Sequence, residues 1–518
     1  MDAPSYIRNH KITLASLKAI TIARFFPEGL RSIPILNQSL KQAFRFRKKT
    51  ADFRRFFVLA ACALLVLAFA PAQYFARQND DLLYLTAAKA LLTGRYCLFT
   101  TPGCPALTDI TPGWPALLAP LALFTERPAL FQALAALLLA ACPAALWAWL
   151  RRRAPEDTAL LAAALFAASP LVLSQSGTLM PEVPYLLVFL ATLAAVEDGR
   201  AGAVGTLAAL LLQIRPAGLS ALPAMILPPL RARRWRQTAL AAGPALLGAA
   251  AWSAWSWSKI SAVVEVGEFD VSYRGQVWSK PFRNALANAD FYLSSWGGSH
   301  LPPRWADQPI ALALGAALVV VAAWGLLRAL RRRLDDPAAW ALLGGAFMHA
   351  VWAWQYERYM ITLLPLLLWA AAEGLGRFAK PVFLVLLLMT LGAQTVPRLG
   401  QPSPWAEPEL ARTYAWLKSQ PGPGVLVSAL YARDGYFSQR PSAPLPDREK
   451  AEAFCAGLKK YRARWVLRQD GLDVGLTEPR IARLQSRLDR AFGHLADTRL
   501  FRKVYANPAE RSAVYEPR

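Results

Sequence analysis

The chain has little of what metal and redox enzymes use. Four His and five Cys are scattered through 518 residues. The His take no ligand spacing, so no metal centre is expected from them, and a requirement for a divalent ion stays open. No CxxC pair occurs. Cys62 and Cys142 fall in apolar runs and read as packing residues. Cys97 and Cys104 share one loop and could bond in an oxidising compartment, but the odd total leaves both states open. Acid is also scarce, with 34 Asp and Glu against 58 Lys and Arg, a net charge of +24. Such an excess can mark nucleic-acid binding. Here the Lys and Arg flank apolar segments instead of forming one patch, so nucleic acid is excluded as the expected partner. No glycine-rich nucleotide pattern follows a strand signal. No cleavable signal is evident either, since residues 1–52 are long, basic and polar.

What is abundant is apolar sequence, 55% of the chain. It falls in Ala- and Leu-rich blocks of roughly 18–23 residues without strand-like alternation, the length that spans about 30 Å of hydrocarbon as helix. The expected fold is an all-α polytopic membrane protein. Its spans are 56–75, 128–150, 157–175, 183–197, 201–214, 217–230, 238–258, 308–330, 337–354, 358–373 and 379–396, about 11 in all. The Arg-rich connections, among them Arg151-Arg152-Arg153, Arg200 and the runs at 231–236 and 328–333, alternate with Arg-poor ones and set the cytoplasmic face. Residues 1–55 are then a basic cytoplasmic segment and 56–398 the membrane domain, with outer loops at 76–127 and 259–307. Residues 399–518 form a small α/β domain on the outer, periplasmic side of a bacterial inner membrane.

Two amphipathic helices are expected in the first outer loop, at 80–93 and 112–124. The second is apolar but only about 14 residues long, so it reads as re-entrant or interfacial; a genuine span is the alternative. The second outer loop carries Tyr273, Trp278, Tyr292, Trp296 and Trp305, read mainly as interfacial anchors and otherwise as a carbohydrate groove. In the tail, helices are expected at 405–419, 447–460 and 478–491, with strands at 424–428, 464–468, near 494–506 and at 512–516.

Ionisable residues collect at the outer face: Asp80, Asp81, Glu182, Arg215 and Arg358, with Glu357, His300 and His349 on the same side. Charges placed so near a bilayer are functional candidates by default. Arginine suits a lipid phosphate, and a carboxylate suits general-base work on a hydroxyl. A phosphate already leaves well and needs cationic stabilisation rather than a strong acid. Each residue also has a plainer role. Asp80, Asp81 and Glu182 can be first-turn acids, Arg215 can snorkel to the interface, and Arg358 can pair with Glu357.

These segments resemble the GT-C glycosyltransferases. NDDLLYLTAAKALLTGRY at 79–96 is similar to their first-loop pattern, with an Asp, a Tyr four residues later, then A-x-x-L and a Gly. TPGWPALLAPLALF resembles the loop helix of bacterial members. SGTLMPEVPYLL resembles their second-loop acidic motif, and IRPAGL and ERYMITLLP resemble the later Arg motifs. The likeness covers roughly residues 56–445 and extends to the dolichyl-phosphate-mannose protein mannosyltransferase and aminoarabinose lipid A transferase families. It implies the GT-C membrane fold and an inverting glycosyltransferase whose donor is a polyprenyl-phosphate-linked sugar. The acceptor, a glycan, lipid or protein, is not identified. Asp80 would be the base, Asp81 its alternative and Glu182 the second acid. Arg215, Arg358, Tyr359 and Tyr84 would bind the donor's lipid phosphate. The chain departs from these families in its Asp-Asp pair, where the mannosyltransferases have Asp-Glu. Thr111-Pro112-Gly113-Trp114-Pro115 stands where they have a His-Pro-Pro motif, and the Glu-Lys-Pro of the aminoarabinose transferases is absent. No specific activity transfers. Two other classes fit a polytopic chain: a flippase for a lipid-linked sugar, and a non-catalytic assembly subunit.

Overall fold

Prolines at segment starts and Ala/Leu-rich interiors give a helical protein. The computed structural model describes residues 52–263, 281–352, 355–401, 403, 407–446, 448, 450–471 and 478–518. An apolar helix covers 52–68. It was expected to reach residue 75 but stops before Pro71, which lacks an N–H and disfavours helix at the residue before it. The first-loop helices lie close to their expected positions, as α1 (Asn79–Leu92) and α2 (Gly113–Phe124). Asp80 and Asp81 occupy the first turn of α1, where acid complements the helix dipole.

The helical domain continues through α3 (Pro128–Leu150), α4 (Glu156–Ala168), α5 (Glu182–Glu197), α6 (Ala201–Ile214), α7 (Leu222–Arg231) and α8 (Trp235–Val263). It ends with α9 (Pro281–Gly298), α10 (Pro309–Arg332), α11 (Pro337–Val351), α12 (Met360–Leu375) and α13 (Ala379–Thr390). Among the described residues, three stretches are long and apolar enough to cross a membrane: Pro128–Leu150, Pro309–Arg332 and Glu357–Arg398. The expected count of about eleven is not reached by this criterion among the described residues. Helices such as α6, with 14 residues, rise only about 21 Å against roughly 30 Å of hydrocarbon. The region 259–307 also departs from expectation. It contains α9, packed against α10 and α11. Tyr292 and Trp296 are buried there instead of anchoring at a surface, whereas Trp305 is exposed. Tyr273 and Trp278 lie outside the described residues, as does the segment 1–51.

Ion pairs gather the Arg-rich helix ends on one face. Arg153 lies 2.6 Å from Glu197 and 3.0 Å from Asp336. Lys380 reaches Asp157 at 2.8 Å, and Arg332 reaches Glu373 at 2.9 Å. Helix α5 runs from this face, at Glu197, to Glu182 at its other end.

The tail is a small α/β domain. Strands β1 (Val425–Ser428), β2 (Ser442–Pro444), β3 (Ala463–Gln469), β4 (Phe501–Asn507) and β5 (Ser512–Pro517) form one sheet in the order β2-β1-β3-β5-β4. The β1 pairings are parallel, and those of β5 with β3 and β4 antiparallel. Helices α14 (Ala411–Ser419), α15 (Tyr431–Ser438), α16 (Ala451–Lys460) and α17 (Glu478–His494) complete the domain. Val427, Phe454, Val466 and Phe492 fill one core cluster, and Leu426, Trp465 and Val514 another. Every tail element read from the sequence is present. Two were missed, α15 and β2, because one is short and polar and the other has three residues ending in Pro.

Residues 62–518 form one compact unit. Within it α15 packs on α1. Tyr74 meets Phe437 edge-on at 5.9 Å, and Phe75 meets Tyr436 at 5.7 Å. Cys97 and Cys104 are disulfide-bonded. Inside the loop they close, the Thr100 carbonyl accepts the Ser442 N–H of β2 at 3.0 Å.

Candidate active site

The first loop is a frame for the charged residues. Its two helices hold the turn before α5 from both sides: Leu179 donates its N–H to Asp81 Oδ1 at 2.9 Å, and its carbonyl accepts from the Trp114 indole N–H at 2.8 Å. Gly177, at φ 82°, supplies the left-handed residue this turn requires. Glu182 follows as the first residue of α5. Thr111 donates to the Ile214 carbonyl at 3.2 Å, at the end of α6. A Cβ on Gly113 would lie 2.4 Å from the Gln213 carbonyl carbon, so only glycine allows this approach. Arg215 follows directly. The TPGW sequence thus fixes both Glu182 and Arg215.

Arg358 enters from the short turn before α12. His349 supports that turn, its two ring nitrogens lying 2.7 Å from the Gly345 carbonyl and 3.0 Å from that of Tyr359. Arg358 Nη2 donates to Asp80 Oδ2 at 3.1 Å, Nη1 donates to the Gln78 amide oxygen, and Nε lies 3.3 Å from Glu182 Oε1. Arg215 Nη1 pairs with the same Glu182 oxygen. Two guanidiniums therefore share one fully buried carboxylate. Tyr359 lies beneath both, its ring centre 4.6 Å from the Arg215 guanidinium carbon and 5.5 Å from that of Arg358. Tyr356 covers Arg358 at 4.3 Å. Such aromatic faces stabilise cations taken out of water. Glu182 is held by ion pairing, since neither of its oxygens accepts an aligned hydrogen bond.

The two aspartates differ sharply. Asp80 is 44% exposed at its side chain. Asp81 is buried and spanned by the Leu179 amide. Burial pushes the Asp81 carboxyl up to about 7, opposed by the Leu179 N–H and reinforced by neighbouring Asp80. Tyr84, one turn along α1, lies within electrostatic reach of Asp80, Arg215, Glu182 and Arg358, and burial raises its phenol well above the ordinary range. All seven residues picked from the sequence (Asp80, Asp81, Tyr84, Glu182, Arg215, Arg358 and Tyr359) thus lie in one neighbourhood. His349 supports it from outside. His300 does not join it; its ring bonds Thr390 at 2.7 Å. Arg358 takes Asp80 and Glu182 as ion partners, while Glu357 is exposed. Among the described residues no three His, Cys, Asp or Glu side chains gather to hold a metal ion.

Next to the Arg215 end of α6 lies a cavity of about 360 Å³, lined by Leu91, Tyr96, Pro112, Gln213, Trp252 and Trp255 among others. The two indoles stack at 4.9 Å, with Tyr96 edge-on to both.

No family model and no curated protein matches the chain. Among solved structures it is similar to ArnT from Cupriavidus metallidurans bound to undecaprenyl phosphate. The TM-score is 0.55 at 12% identity, covering 89% of this chain and 97% of that one. The fold is the GT-C membrane fold. The GT-C architecture is shared with the archaeal oligosaccharyltransferase AglB from Archaeoglobus fulgidus, in complex with an inhibitory peptide and a dolichol-phosphate. There the TM-score is 0.51 at 12% identity, over 81% of this chain and 70% of that one. Sequence reading of the GT-C motifs found the charged residues but missed Gln78, Thr111, Trp114 and the Leu179 amide. These are uncharged, and only the fold brings them to the site.

Proposed function

We propose that the protein is a membrane glycosyltransferase that moves one sugar from a polyprenyl-phosphate carrier to an acceptor hydroxyl. The reaction would take place at the periplasmic face of a bacterial inner membrane, with the chain crossing about eleven times and its tail outside. The observation that carries the reading is the meeting of Arg215 and Arg358 over one buried carboxylate, with exposed Asp80 on the same guanidinium. A guanidinium has five N–H donors, more than one carboxylate oxygen uses, so both cations retain capacity for a phosphate. Glu182 and Tyr359 hold them in place before the donor arrives, so the reaction requires little reorganisation. Asp80 takes the acceptor's proton as the acceptor oxygen bonds to the anomeric carbon. The bond from that carbon to the phosphate oxygen breaks, and polyprenyl phosphate leaves with the electron pair, opposite the two arginines. One displacement of this kind inverts the anomeric centre. The aromatic cavity beside Arg215 suits the carrier's apolar chain. ArnT bound to undecaprenyl phosphate and AglB with dolichol-phosphate support a carrier of this class.

Sugar transfer from a synthetic polyprenyl-phosphate donor, followed in membranes, tests the proposal. Asp80→Asn is expected to lower transfer by roughly 10³-fold, within the range for loss of a general base. Full activity in both Asp80→Asn and Asp81→Asn would remove the base assignment. Movement of labelled donor across the bilayer with no product would favour a flippase.

A further inference from the structure

Gln78, Asn79, Asp80 and Asp81 are consecutive, and their side chains are fastened alternately. Gln78 and Asp80 hold Arg358, and Asp81 holds Leu179. Asn79 alone turns to the tail domain, where its side-chain oxygen accepts the Arg433 backbone N–H at 3.1 Å. Arg433 lies in the first turn of α15, which has no side-chain cap of its own. Asn79 therefore caps a tail helix from the first turn of α1. The Arg433 guanidinium is 1% exposed, 3.0 Å from Asp434, 2.8 Å from Gln469 and 3.7 Å from Glu409. Glu409 in turn accepts from the Tyr74 hydroxyl. The segment from Tyr74 to Asn79 is thus tied at both ends to one buried cluster in the tail, and Asp80 is the next residue.

We infer that the tail domain sets the start of α1, with Asn79 and Arg433 as positioning residues for Asp80. Capping both fastens α15 and fixes the direction in which α1 leaves the loop. A displacement of about 1 Å at a reacting group costs up to a hundredfold in rate. Only the activity arm of the test rests on the glycosyl-transfer reading.

The test uses the full-length protein in nanodiscs, with Asn79→Ala, Asn79→Ser and Tyr74→Phe. Serine retains an acceptor suited to capping and alanine does not. In Asn79→Ala, hydrogen exchange of the first α15 amides is expected to accelerate about fivefold, the factor a lost cap implies, and that of the α1 amides to accelerate with it. Asn79→Ser should stay near wild type, and Tyr74→Phe should fall between them. In the transfer assay, Asn79→Ala should lower kcat roughly tenfold with little change in donor KM, and Asn79→Ser should recover it. Unchanged exchange in α1 would overturn the inference, as would faster exchange with unchanged kcat. If the wild type transfers no sugar, the functional reading fails and the exchange pattern alone decides the positioning role.

Discussion

Two of the molecule's buried arginine–carboxylate clusters have opposite finish. In the tail, Arg433 is enclosed: Asp434 and Gln469 accept from it, and Asp434 also accepts from Tyr414 at 2.7 Å. In the helical domain, Glu182 faces two guanidiniums without an aligned hydrogen bond, and Asp80 beside them is open. A buried charge is tolerated when its partners are complete. The complete cluster can only hold position. The incomplete one keeps capacity for a further anion and a further proton, which is what a reacting site needs.

This contrast can be broken most sharply by removing one arginine from each cluster. Arg433→Met leaves Asp434 and Glu409 without their cation, and breaking such a buried pair costs about 3–5 kcal/mol. The melting temperature in detergent should fall by many degrees, with the tail becoming sensitive to protease. Arg358→Gln should instead lower sugar transfer by roughly 10²–10³-fold while the melting temperature moves little. If Arg358→Gln unfolds the protein and Arg433→Met does not, the assignment of the clusters is reversed.

A smaller effect concerns Asp81. Its carboxyl has an ordinary value of 3.8 and is raised to about 7 in the fold. Over that interval the folded chain holds a proton that the unfolded chain releases. Its contribution to stability is therefore complete below about pH 4 and is lost as pH rises through about 7. Asparagine keeps an acceptor for the Leu179 N–H without ionising. Relative to wild type, Asp81→Asn should gain melting temperature as pH rises from 4 to 8, and equal pH profiles would refute the raised value. The smallest effect is expected from Trp255→Ala. It should raise KM a few-fold for long-chain donors and leave short-chain donors unchanged; equal changes for both would remove the cavity from the carrier's path.

Legibility followed charge. Asp80, Glu182, Arg215 and Arg358 stand out in the sequence because, away from the Arg-rich connections, an apolar chain carries so few ions near its helix ends. Gln78 and Asn79 look like ordinary loop residues, and nothing in their spacing shows that one faces Arg358 and the other the tail. TPGWP was readable as a helix start. That Thr111 and Trp114 reach α6 and the turn before α5 depends on contacts 103 and 65 residues distant. Arg433 was hidden for another reason: the tail is rich in charge, and burial rather than composition sets it apart. The tail strands were legible from their apolar runs, except β2, which has only three residues and one apolar side chain, Ala443, in the core. The span count was read from how apolar each segment is, and length and composition together pass only three of the described stretches.

The disulfide loop sits against β2, one of the two edge strands of the tail sheet, through Thr100 and Ser442. An uncovered strand edge invites pairing with another chain. The loop therefore acts as a guard rail, and the tail is not an independent module to be grafted elsewhere. Cut away from residues 97–104, it would present a bare edge to its own copies.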